Sequence, residues 1–223
     1  MAALSDSLRA AVFYGILDTG YVARENLRDK CRALIASGAK IVQLRAKKQT
    51  DAERREMALE LLPLFKAAGA PYFIINDSPA LAAEICALIP NAGLHIGQDD
   101  TPPLEARKII GENRVLGMST HSLEQAKKAD ALADVLDYFA VGPVYATNTK
   151  PGRPAVGLGL VRAVAEMKPR LPWFAIGGVN IKTAPDVARA GAERIVAVSD
   201  VLLAPDTAEA VKNLTKEFQN NKR

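Results

Sequence analysis

Aromatic residues are scarce, at 5%, and the chain holds only two cysteines, two histidines and one tryptophan. Few aromatics means few stacking platforms for nucleic acid, and the basic residues do not make up for it: apart from Arg45-Ala46-Lys47-Lys48, Lys and Arg are scattered. Cys31 and Cys86 lie far apart, without metal-ligand spacing, in stretches of helical periodicity. They read as buried free thiols, which fits a reducing cytoplasm. No apolar run approaches the roughly 18 residues that span a membrane. The opening Met1-Ala2-Ala3-Leu4-Ser5-Asp6-Ser7 lacks the basic and then apolar segments of a secretory signal. The expectation is a cytoplasmic protein with no nucleic-acid or membrane partner; a homo-oligomer is allowed.

What is present suits one globular domain over 1–223, with 49% hydrophobic and 24% charged residues. The net charge of +4 is mild and would help to draw in a small phosphorylated ligand. Short apolar runs at 12–17, 41–44, 72–75, 93–96, 115–118, 138–141, 173–176 and 195–198 alternate with segments of helical spacing. The helical segments are 26–37, 51–68, 79–88, 104–110, 123–133, 160–167, 184–190 and 207–218. Ser122 suits an N-cap, Pro79 a first turn, and Gly38, Gly69, Gly111 and Gly191 left-handed ends. Strands that are apolar throughout imply cover on both faces, and repeated strand–helix units imply a parallel sheet. The fold class is α/β, and eight units close into a single-domain (β/α)8 TIM barrel. The runner-up, an open doubly wound sheet, lacks a Gly-x-Gly-x-x-Gly after its first strand.

In such a barrel every strand's C-terminal end opens on one face, where active sites are built. Strand 2 delivers Gln43, Arg45 and Lys47, and strand 3 delivers Asn76 and Asp77. Strand 4 delivers Gln98, Asp99 and Asp100, and strand 5 ends in Ser119-Thr120-His121. Strand 6 runs through Gly142-Pro143 into Thr147-Asn148-Thr149-Lys150. Strand 7 ends in Gly177-Gly178 and strand 8 in Ser199-Asp200. Arg45, Lys47 and Lys150 are cations for a phosphate, whereas Asp77 and Asp100 are carboxylates for Mg²⁺, which takes one or two of them and completes its shell with water and phosphate oxygens. Gly177-Gly178 and Ser199 read as a second anion site, of the kind barrels build after strands 7 and 8.

Plainer readings stand beside these. Arg45 and Asp77 read equally well as an ion pair closing the barrel mouth. Gly177-Gly178 reads as a tight turn, and Thr147 and Thr149 as loop residues bonding their own backbone. His95 reads as a satisfied core histidine, while His121, at a strand exit, stays open. The loop 151–156, with two prolines and a glycine, reads as a lid beside the site.

The motifs Gln43-Leu44-Arg45-Ala46-Lys47, Ile74-Ile75-Asn76-Asp77, His95-Ile96-Gly97-Gln98-Asp99-Asp100, Gly117-Met118-Ser119, Gly142-Pro143, Thr147-Asn148-Thr149-Lys150 and Ala175-Ile176-Gly177-Gly178 resemble, in this order, those of the thiamine phosphate synthase family. The resemblance runs from about strand 1 to Val198-Ser199. It implies a transferase that joins 4-amino-2-methyl-5-hydroxymethylpyrimidine diphosphate to 4-methyl-5-(2-phosphoethyl)thiazole, releasing pyrophosphate. It also implies that Asp77 and Asp100 hold Mg²⁺, and that Arg45, Lys47, Asn76, Ser119 and Lys150 bind the diphosphate, with Arg45, Lys47, Lys150 and Ser119 acting in catalysis. Gln43 would hydrogen-bond the pyrimidine, and Thr147, Thr149, Gly178, Val198 and Ser199 would hold the thiazole and its phosphate. Asn91-Ala92-Gly93 departs from the family's Ala-Asp-Gly before the His motif, on the entry side of strand 4, so packing should feel it more than catalysis. Two rivals remain: a thiazole tautomerase on the same barrel, with His121 as acid–base, and a non-catalytic regulator that binds a phosphate ligand.

Overall fold

Aliphatic runs become strands wherever helices can cover them. The computed structural model describes residue 6 and residues 8–67, 69–147 and 154–222. Its strands are β1 (Phe13–Asp18), β2 (Ile41–Arg45), β3 (Tyr72–Asn76), β4 (Ala92–Ile96), β5 (Val115–Thr120), β6 (Tyr138–Val141), β7 (Trp173–Ile176) and β8 (Ile195–Ala197). They pair in parallel in chain order, and β8 closes on β1. The expected (β/α)8 barrel is therefore the fold. Around it lie α1 (Leu27–Ala36), α2 (Asp51–Leu61), α3 (Pro79–Leu88), α4 (Pro103–Ile110), α5 (Leu123–Ala131), α6 (Gly157–Met167), α7 (Ala184–Arg189), the short α8 (Ser199–Leu202) and α9 (Thr207–Asn220).

Local chemistry accounts for where the helices begin and end. Thr50 and Glu53 form a capping box on α2, and Ser122 accepts from the Gln125 amide to start α5. Gly38, Gly69, Gly111 and Gly191 all take positive φ behind helical segments. The segment expected as one helix over 51–68 is divided. α2 stops at Leu61 and Leu62–Phe65 continues as a 3₁₀ turn, because Pro63 has no N–H to donate and its ring crowds the turn before it. At the other end of the chain Val198 leaves β8 and caps α8, so the last strand is shorter than its apolar run. Asn91, the departure before β4, donates to the Phe65 and Pro71 carbonyls at 3.0 and 2.8 Å, a packing role on the entry side. No helix among the described residues is long and apolar enough to cross a membrane.

Rings fill the barrel's interior. Tyr14, Tyr138 and Phe174 meet edge to face with centroids 5.4–5.6 Å apart, and His95 stacks on Tyr138 at 5.6 Å. Register explains the last contact. Asn76, His95, Gly117 and Tyr138 form one row across β3, β4, β5 and β6. A Cβ on Gly117 would sit 2.0 Å from the Tyr138 ring, so only glycine lets that ring cross β5 to reach His95. Gly117→Ala should therefore destabilise the protein by about 1–3 kcal/mol through overpacking. Urea unfolding checks this, and an unshifted midpoint would contradict it.

Candidate active site

The rim at the strand C-termini holds two adjoining cavities. The larger, about 450 Å³, is walled by Ile16, Ala140, Ile176 and Val196, with Gln43, Thr147, Gly178, Val198 and Ser199 around it. The smaller, about 230 Å³, is polar throughout, with Lys47, Asp77, Gln98, Asp99 and Asp100. Arg45, Asn76, His95, Ser119 and His121 line both. Every expected site residue among those described thus borders one cavity or both. Thr149 and Lys150 lie outside the described residues, as do positions 151–153 of the loop read as a lid.

Arg45 is the last residue of β2, and parallel register sets it opposite Asp18, the last residue of β1. Its Nη1 donates to Asp18 Oδ2 at 2.5 Å, with side chains 12% and 3% exposed. Asp18 also accepts from the Gly20 amide at 2.8 Å. Lys47 pairs with Asp77. The cations that reach the smaller cavity from β2 are thus each held by a carboxylate, and the pairs formed are Arg45–Asp18 and Lys47–Asp77 rather than the Arg45–Asp77 pair considered from sequence.

Asp77 sits at φ +60°, a left-handed conformation that costs a non-glycine residue about 1–3 kcal/mol. Its amide donates to the His95 carbonyl at 2.9 Å, which fixes the turn that aims the carboxyl into the site. Asp100 faces it, with Oδ2 accepting from the Gly97 amide at 2.6 Å. Burial is the main reason the Asp77 carboxyl is held above the usual carboxylate range; Asp100 adds to this and Lys47 opposes it. Two facing carboxylates, one of them reluctant to ionise, suit a cation between them. Among the described residues no group of three or more His, Cys, Asp or Glu is placed to hold a metal. Asp77 and Asp100 are a donor set of the kind Mg²⁺ takes, since it binds one or two protein carboxylates and leaves positions for water and phosphate oxygens.

On the shared wall, the Ser119 hydroxyl lies 2.9 Å from His95 Nε2, and Gln98 donates to the Ser119 carbonyl at 2.6 Å. His121 donates its Nδ1–H to the Gly142 carbonyl at 2.5 Å. Opposite, Gly177 and Gly178 take φ of +99° and +65°. A Cβ on either would fall within 2.6 Å of Pro143 or Tyr145, so the β7 exit can lie against the β6 exit only as glycine. This close approach makes Gly177-Gly178 more than an ordinary turn. With Ser199, where α8 begins, both glycines line the larger cavity.

The chain matches the family described as "Thiamine monophosphate synthase" over residues 13–201. It belongs to that family. It is 42% identical to the thiamine-phosphate synthase of Thermus thermophilus over 190 residues, covering 85% of this chain and 88% of that one. It is 42% identical over 212 residues to the Arthrobacter thiamine-phosphate synthase, covering 86% and 87%. The structure of the thiamine phosphate pyrophosphorylase from Pyrococcus furiosus superposes with a TM-score of 0.79 at 26% identity, over 96% of this chain and 98% of that one.

Within this thiamine monophosphate synthase family member, sequence reasoning passed over Asp18, Tyr14 and Tyr138. Asp18 ends an otherwise apolar strand, as a carboxylate also follows β3 at Asp77, but the apolar run itself ends one residue earlier at Leu17. Both tyrosines read as ordinary members of apolar strands, and only the packing shows where their hydroxyls go.

A carboxyl whose pKa is raised on folding binds its proton more tightly in the folded state. It adds stability at acid pH and loses that contribution as pH rises through the folded value. Metal-free Asp77→Asn protein should therefore be more stable than the parent at neutral pH, with the pH-dependent part of the gain gone by about pH 3. Urea midpoints at both pH values test this, and a gain that does not vary with pH would contradict it.

Proposed function

We propose that the protein is a thiamine-phosphate synthase, joining 4-amino-2-methyl-5-hydroxymethylpyrimidine diphosphate to 4-methyl-5-(2-phosphoethyl)thiazole with loss of pyrophosphate. The observation that carries the reading is the pair of cavities divided by one wall: a charged chamber suited to a diphosphate and an apolar one suited to two flat rings. Family membership and the named relatives support the same reaction. Free thiols at Cys31 and Cys86 fit work in a reducing cytoplasm.

The chain's own residues would act mainly by binding and positioning. Arg45, Lys47 and Lys150 hold the diphosphate, and Asn76 and the Ser119 hydroxyl donate to it. Asp77 and Asp100 would hold Mg²⁺, which when bound neutralises charge on the diphosphate. Negative charge grows on the departing pyrophosphate, so fixed positive groups aimed there lower the barrier. The pyrimidine's amino group supplies electrons to its methylene carbon as the C–O bond breaks. The thiazole nitrogen then forms the C–N bond, so no protein nucleophile is required. Gln43 orients the pyrimidine. Thr147, Thr149, Gly178, Val198 and Ser199 hold the thiazole and its phosphate, and the apolar walls keep competing water from the cation.

Pyrophosphate release from both substrates with Mg²⁺ tests the reading, and no release, or release indifferent to EDTA, would overturn it. Asp100→Ala should lower kcat on the order of a hundredfold while calorimetric binding of the thiazole phosphate is unchanged. Asp18→Asn should leave Arg45 poorly held and raise KM for the pyrimidine diphosphate about tenfold. Equal effects on both substrates would place Asp18 in general stability instead.

A further inference from the structure

Beneath the shared wall, polar groups form one continuous chain through the barrel interior. Gln43 Nε2 donates to the Tyr14 hydroxyl at 2.6 Å. That hydroxyl lies 2.9 Å from the Tyr138 hydroxyl, which lies 3.0 Å from His95 Nδ1. The other ring nitrogen, His95 Nε2, lies 2.9 Å from Ser119 Oγ. The tyrosines are fully buried, and the chain's ends, Gln43 and Ser119, border the larger cavity.

We propose that Tyr14, Tyr138 and His95 are positioning residues that set the hydrogen-bond polarity of both ends of the site, making Gln43 an acceptor toward the pyrimidine and Ser119 a donor toward the diphosphate. Each hydroxyl has one hydrogen, and with Gln43 donating at one end only one direction along the chain gives every buried hydrogen an acceptor. Gln43 donates to Tyr14, Tyr14 therefore donates to Tyr138, and Tyr138 donates to His95 Nδ1. Accepting at Nδ1 makes His95 the Nε2–H tautomer, which donates to Ser119 and turns the serine's own hydrogen outward. Burial holds both phenols well above their usual range, so both keep the hydrogen that the chain needs. With its Nε2 committed to Tyr14, Gln43 turns its carbonyl oxygen to the cavity, and that oxygen has no bond among the described residues.

The two ends match what the ligands present, and this part rests on the synthase reading. A 4-aminopyrimidine offers N–H donors and needs an acceptor, while a diphosphate offers only acceptors and needs a donor. Run backwards, the same chain would present an amide N–H to the amino group and turn the serine hydrogen inward. A 4-oxopyrimidine would meet the Gln43 carbonyl with a carbonyl of its own, so the relay also selects the amino form.

With only two histidines in the chain, ¹⁵N NMR above the histidine titration range resolves His95, and His121→Asn assigns it. The wild-type protein should show His95 as the Nε2–H tautomer, and Tyr138→Phe should shift the tautomer balance. An Nδ1–H tautomer in wild type, or no change in Tyr138→Phe, would overturn the relay. Calorimetry with 4-amino-2-methyl-5-hydroxymethylpyrimidine and its 4-oxo counterpart gives a second readout. Tyr14→Phe frees the Gln43 amide to rotate and should reduce the amino preference about tenfold, with pyrophosphate binding unchanged. An undiminished preference would overturn the coupling to Gln43. Failure of the wild type to release pyrophosphate would sink the synthase reading alone, since the tautomer measurement decides the relay without turnover.

Discussion

A closed parallel barrel admits a polar group to its interior only when that group's hydrogen bonds are met there. Leaving one unmet costs about 1–3 kcal/mol, more for a charge. The interior here carries an amide, phenols, an imidazole and a hydroxyl, and they satisfy one another in a single chain from Gln43 to Ser119. Removing one member would orphan its neighbours, so the group stands or falls together. Register makes the chain possible, and so does Gly117, whose bare backbone lets the Tyr138 ring cross from β6 to β4.

The same closure places every strand exit on one rim, which is why so much of the site is legible in the sequence. Asp77 and Asp100 are legible because each is a carboxylate that follows an aliphatic strand. Gln43, Arg45 and Lys47 stood out because their spacing keeps them on one face. What was not legible depends on pairing across strands. Asp18 gains its meaning from Arg45, which lies opposite it only once β1 and β2 are in register. Tyr14 and Tyr138 have the composition of core residues and are core residues; their second role lies in the direction of an O–H that no periodicity encodes. The division of 51–68 was a local matter, set by Pro63 against an otherwise continuous helical pattern.

Electrostatically the site is prepared rather than charged. Arg45 is held by Asp18 and Lys47 by Asp77, so neither cation must be drawn from water into place when an anion arrives. The two pairs differ in kind. Arg45 and Asp18 are both nearly buried, and breaking such a pair leaves an uncompensated charge, so Arg45 keeps its carboxylate when ligand binds. Lys47 is about half exposed, its side chain 48% accessible, and can move from Asp77 to a phosphate oxygen with little desolvation.

That asymmetry bears on the order of events in the smaller cavity. While Lys47 neutralises Asp77, the carboxyl is buried against Asp100 with a like charge to oppose it. An anionic ligand competes for Lys47 and would leave the two aspartates facing each other unrelieved, which is unfavourable unless positive charge arrives with it. On the proposed reaction Asp77 and Asp100 would hold Mg²⁺, which would supply that positive charge beside the diphosphate. Lys47 would then be free to pair with a phosphate oxygen, since Asp77 would keep a positive partner. A bare diphosphate would gain Lys47 only by leaving Asp77 against Asp100 without a positive partner.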